Sequence, residues 1–169
     1  MFKKFLKGLI RLPFRFKKWR TIKLGLHRNA DDTRRALETA GCRVSERAEE
    51  IFDCVPFFFK GKKVDLVICS VADLGFADSA TLAQIYEAAQ KFGLLLCPAE
   101  VGPALREQYC DQPMGDFPVI AMKSIAGSNG HPMLFLVERN EYGFWLHTCY
   151  GHEEFVWHAT CCFVFMLGK

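Results

Sequence analysis

Val64-Asp65-Leu66-Val67-Ile68-Cys69-Ser70-Val71 is the stretch on which the fold turns. It is nearly continuous in apolar residues, the pattern of a strand covered on both faces. Such a strand needs two apolar layers around it. Half of the 169 residues are hydrophobic and sixteen are Phe, so the material for a sizeable core is present.

The chain downstream of this strand reads first as helix. Thr81 with Gln84 three residues on forms a capping-box signature. The following LAQIYEAAQKF places Leu82, Ile85, Tyr86, Ala89 and Phe92 on one face, and Gly93 ends it. Leu94-Leu95-Leu96 leads into Cys97-Pro98, and a short helix over about residues 100–109 carries Leu105. From Asp116 onward the pattern changes. VIAMKSI, PMLFLVER, GFWLHTCY and CCFVFML are strand-like runs separated by Gly127-Ser128-Asn129-Gly130, Asn140-Glu141-Tyr142-Gly143 and Gly151-His152-Glu153-Glu154. Short turn-rich connections of this kind predict an antiparallel meander.

Upstream, TIKLGL from Thr21 predicts a short strand. A helix capped near Asp31 or Asp32 and stopped at Gly41 follows, then a second from about Ser45 to Phe52. The predicted class is therefore α+β, with an α/β-like first half around one buried central strand and an antiparallel second half. The predicted organisation is an arm over residues 1–20 and a single body over residues 21–169.

Charge divides the chain in the same place. Residues 1–28 hold ten Lys or Arg and no acid, whereas the rest holds twelve basic and nineteen acidic residues, a net charge of −7. Within the arm, Phe2, Phe5, Leu6, Leu9, Ile10 and Leu12 fall in an arc of about 160° at helical spacing, with Lys3, Lys4, Lys7 and Arg11 outside it. Pro13 stops that amphipathic helix. Phe14-Arg15-Phe16-Lys17-Lys18-Trp19-Arg20 then alternates aromatic and basic residues and predicts extended chain.

The eight cysteines lie largely within apolar runs such as ICSV, LLLCP and TCCFVF, where they act as small buried hydrophobes. With no secretory leader pattern, the expectation is a reduced, cytoplasmic protein. No window is long and apolar enough for a membrane span. His147, Cys149, His152, His158, Cys161 and Cys162 match no zinc spacing, so neither a metal nor a cofactor is expected. Nucleophile elbows, glycine-rich phosphate loops and dinucleotide fingerprints are all missing, and no catalytic residue is assigned.

The polar cluster with the strongest claim to a ligand is residues 97–113. It gathers Glu100, Arg106, Gln108, Tyr109, Asp111 and Gln112 on a loop, a short helix and a loop stiffened by prolines. Asp73, at the carboxyl end of the central strand, would face the same crevice in an α/β arrangement. The plainer reading is a capped helix whose side chains satisfy neighbouring backbone. The segments TIKLG, VDLVICSVADLGF, ATLAQIYEAAQKFGLLLCPAEVGPALREQY, DQP and VIAM resemble those of a group of small uncharacterised bacterial proteins. That resemblance covers the body from about residue 21, leaves out the arm, and implies no activity, ligand or partner.

Three uses of the arm compete. Its segregated face, followed by Trp19, suits a helix lying in an anionic headgroup layer. Its bases and rings also suit unpaired nucleic acid, though this leaves the clean apolar face unexplained. The third use is packing on its own body. The sequence-level expectation is a non-enzymatic binding or adaptor protein, peripheral at the membrane inner face through Lys3, Lys4, Lys7, Arg11, Arg15, Lys17, Lys18, Trp19 and Arg20. The alternatives are a small-ligand binder or enzyme using residues 97–113, and a nucleic-acid binder through the arm. A protein partner is left unspecified.

Overall fold

The computed structural model describes residues 16–58 and 60–168. The amphipathic helix expected over residues 2–12 lies outside them. The described chain is α+β, with four α-helices and one large curled sheet.

The strands and helices in chain order are β1 (Arg20–Leu24), α1 (Ala30–Thr39), β2 (Cys42–Val44), α2 (Glu46–Phe52), β3 (Lys62–Ser70), β4 (Ser79–Thr81), α3 (Leu82–Lys91) and β5 (Leu94–Leu95). They continue with α4 (Val101–Gln108), β6 (Val119–Ile120), β7 (Ile125–Ala126), β8 (Pro132–Asn140), β9 (Gly143–Tyr150), β10 (Val156–His158) and β11 (Cys162–Leu167). A single 3-10 turn spans Ala72–Leu74. The sheet runs β1-β3-β11-β6-β8-β9-β2, with β5 added to β11 and β7 to β8, while β4 and β10 pair separately.

Local chemistry explains the helix starts. Asn29 caps α1 by accepting from the Asp32 N–H, two and three residues ahead of the two aspartates singled out from the sequence. Ser45 caps α2, and both bonds of the Thr81/Gln84 capping box open α3.

β3 is apolar on both faces, with Val64, Leu66, Val67 and Cys69 all buried between β1 and β11. Both of those neighbours run antiparallel to it, so the α/β-like arrangement expected for the first half is replaced by antiparallel pairing. The meander expectation also needs correction. β8 and β9 form the expected antiparallel hairpin, but the chain then leaves the sheet for β10 and returns as β11 between β3 and β6. The reason is burial. Phe163, Val164 and Phe165 in β11 are consecutive and fully buried, so both faces need cover that an edge position would not provide.

The hollow of the curled sheet is filled by α4. Its residues Val101, Gly102, Pro103, Ala104, Leu105 and Arg106 are all buried, the pattern of a helix enclosed on every side. It touches β1 near one edge of the sheet and β8 and β9 near the other. Gly102 permits this approach, since a β-carbon there would stand 2.8 Å from atoms of Phe135.

Candidate functional site

Residues 97–113 surround and form α4, and the structure brings most of their polar side chains into one interior network. Glu100 is 3% exposed. Its two carboxylate oxygens accept from the backbone N–H groups of Gly25 (2.6 Å) and Phe58 (2.9 Å). The two backbone segments meet closely at this point: a β-carbon on Gly25 would lie 2.8 Å from the Lys60 carbonyl oxygen, and its φ of +69° is one that glycine adopts freely. Glu100 thus clamps the end of β1 to the connection between α2 and β3.

Gln108 works in a similar way. Its Oε1 accepts from the Lys23 N–H and its Nε2 donates to the Lys23 carbonyl, both at 2.9 Å. The side-chain amide stands where a neighbouring strand would stand, and so closes the outer edge of β1. Arg106 is 1% exposed. It donates to Gln112 Oε1 and to the carbonyls of Tyr109 and Glu138, and its guanidinium lies 4.7 Å from the centre of the Phe144 ring. Burial lowers its pKa from the usual arginine value. Gln112 donates in turn to the carbonyls of Asp116 and Val137.

The remaining sequence candidates divide. The Tyr109 hydroxyl donates to Asp116 Oδ2 at 3.1 Å; burial first, and then that carboxylate, push its pKa up to about 12. Asp111 is at the surface, where a hydrogen bond from Arg20 holds its carboxyl below the usual aspartate range. Asp73 accepts from the N–H and hydroxyl of Ser70, three residues back. The cluster therefore converges, but upon itself and the backbone. The cavity beside Glu100, Glu107 and His27 is about 10 Å³, room for no more than about one water.

Of the arm residues, Lys3, Lys4, Lys7, Arg11 and Arg15 lie outside the described residues. Lys17 and Lys18 are exposed, and Lys18 Nζ stands 3.8 Å from Asp65. Trp19 and Arg20 are spent on the body. The Trp19 ring meets Tyr109 edge-on at 5.0 Å, and the Arg20 guanidinium lies 4.6 and 4.1 Å from those two ring centres while pairing with Asp111. Ahead of them Phe16 packs edge-on against Phe92 at 5.3 Å. Phe16 thus packs on the body just past the C-terminal end of α3.

Beside that point lies a feature the sequence reading passed over. Tyr86, Ala89, Leu94, Leu95, Leu96 and Phe165 line an apolar cleft of about 360 Å³ between α3 and β5. Leu95 and Leu96 are 47% and 42% exposed. The available signal was the Leu94-Leu95-Leu96 run, because a strand turns adjacent side chains to opposite faces and cannot bury three in a row against one layer.

The interior thiols of Cys69 and Cys97 and the half-buried thiol of Cys149 are poor nucleophiles. Burial pushes the pKa values of Cys69 and Cys149 up to about 12, and that of Cys97 upward as well. Among the described residues, no three His, Cys, Asp or Glu side chains gather as a metal site, and no helix is long and apolar enough to cross a membrane. Comparison of the chain with family models, curated proteins and solved structures finds no match, so the functional reading rests on these residues alone.

Proposed function

We propose that this chain is a non-enzymatic binding protein that associates peripherally with an anionic membrane surface through its basic N-terminal residues. The observation that carries this reading is the attachment of Phe16 to Phe92 and of Lys18 to Asp65. It fixes the point on the body from which the acid-free sequence ahead of Phe16 is tethered, with Lys17 exposed beside it. Each base held near an anionic surface contributes on the order of 1 kcal/mol, screened by salt. The ligand-site alternative at residues 97–113 loses support, because Glu100, Gln108 and Gln112 are engaged with Arg106 or the backbone, although the buried Arg106 Nε has no partner among the described residues.

Sedimentation with vesicles tests the proposal. Full-length protein is expected to pellet with phosphatidylserine-containing vesicles at low salt and not with neutral ones. Changing Lys3, Lys4 and Lys7 together to Glu should abolish that pelleting. If the unaltered protein ignores anionic vesicles but binds single-stranded oligonucleotides with steep salt dependence, the nucleic-acid reading replaces this one.

A further inference from the structure

We infer that the apolar cleft between α3 and β5 is a docking site for the chain's own residues 2–12, which occupy it when no membrane surface is present. The inference deepens the membrane reading and rests on it for the competition between two partners. Its own grounds are the cleft, the place where the described chain begins, and the pattern of the residues ahead.

Among the described residues, nothing covers the apolar surface of the cleft. Its exposed Leu95 and Leu96 continue inward to Leu94, Ala89 and Phe165, all buried. The Tyr86 hydroxyl, which donates to the Met122 carbonyl at 2.9 Å, is already partnered. The one charged side chain in the lining is Glu87, in an ion pair with Lys91. Such a surface suits an apolar face flanked by bases better than it suits a small polar ligand.

Tether length then selects the occupant. Phe16 is held against Phe92, and Gln90 and Leu94 of the lining are each two residues from Phe92. Leu12 is four residues ahead of Phe16, a reach of at most about 14 Å. Residues 2–12 therefore begin within reach of the cleft, and a segment so tethered competes at high effective concentration with any free partner. Phe2, Phe5, Leu6, Leu9, Ile10 and Leu12 share the face that helical spacing sets apart from Lys4, Lys7 and Arg11. The same apolar face serves the cleft or the bilayer, but not both at once. Membrane binding thereby becomes coupled to release of the arm.

A photo-crosslinking residue, p-benzoylphenylalanine, placed at Phe5 or Leu9 of the full-length protein tests this. Without vesicles, the crosslink is expected within one chain, to peptides covering residues 86–96, and to disappear when phosphatidylserine vesicles are added. The double variant Leu95→Ser/Leu96→Ser should lose most of that crosslink. It should also bind vesicles about fivefold more tightly if roughly four-fifths of the free protein is latched. Both side chains are substantially exposed, so the variant should remain folded.

Crosslinks elsewhere on the body, or only between chains, overturn the inference. So does weaker vesicle binding by the double variant, which would place the two leucines in the bilayer instead. Unchanged crosslinking or vesicle affinity in that variant also overturns it. A cleft crosslink in a protein that ignores vesicles keeps the docking and removes the membrane reading. Vesicle binding without the cleft crosslink does the reverse.

Discussion

The segment at residues 97–113 and the cleft beside Leu95 and Leu96 make opposite uses of their side chains. The first is rich in polar groups, yet Glu100, Arg106, Gln108 and Gln112 are engaged with one another or with the backbone of β1, β8 and the loops. The second is poor in polar groups and leaves two leucines nearly half exposed. A dense polar sequence marked an internal staple here, because buried polar groups must find partners before they can serve a ligand. The unfilled surface is apolar, where the missing partner is packing rather than a hydrogen bond.

This contrast can be broken most directly at Glu100. Glu100→Ala leaves the half-buried Gly25 and Phe58 N–H groups without their charged acceptor and should lower the free energy of unfolding by about 3 kcal/mol in urea titration. A loss under about 1 kcal/mol would mean that the clamp is dispensable and that Glu100 is available for other work.

Alkaline pH probes the closed interior more gently. Cys69 and Cys149 are raised from an ordinary value of 9.0 to about 12, so the unfolded chain releases those protons at lower pH than the folded chain does. Their stabilising contribution is complete below about pH 9 and declines as pH rises toward 12. Thermal unfolding should show a loss on the order of 1 kcal/mol per thiol by about pH 10. A melting temperature unchanged between pH 8.5 and 10.5 would contradict the sealed interior.

The smallest effect belongs to the open surface. Leu95→Ser should change stability by no more than about 0.5 kcal/mol, since little packing is lost at a half-exposed side chain. A cost above about 1.5 kcal/mol would show that Leu95 is already part of the core, and the contrast would fail from the other side.

What was legible in the sequence follows the range of the interactions. The Thr81/Gln84 pair was readable as a cap, and the start of α2 at about Ser45 as a helix boundary, because the bonds involved span three residues. The buried character of β3 was readable because it is written in eight consecutive side chains. The site was legible as a group of residues and not as an arrangement. Glu100 meets partners 75 and 42 residues away, and Gln108 meets one 85 residues away. No local pattern identifies such a partner. The position of β11 was hidden for the same reason, since its neighbours β3 and β6 lie far back along the chain.

By itself, then, the sequence determined the α+β class, the starts of α2 and α3, the doubly covered strand, and the separation of a basic N-terminus from an acidic remainder. These follow from periodicity, capping chemistry and charge counts, all local or additive. Only the tertiary structure decided that α4 fills the curled sheet, that the polar loop is closed upon itself, and that Trp19 and Arg20 belong to the body. It also decided that an apolar cleft opens beside the point where Phe16 packs on Phe92. Each of those facts depends on which distant groups meet, and burial settles that only once the whole chain has closed around its core.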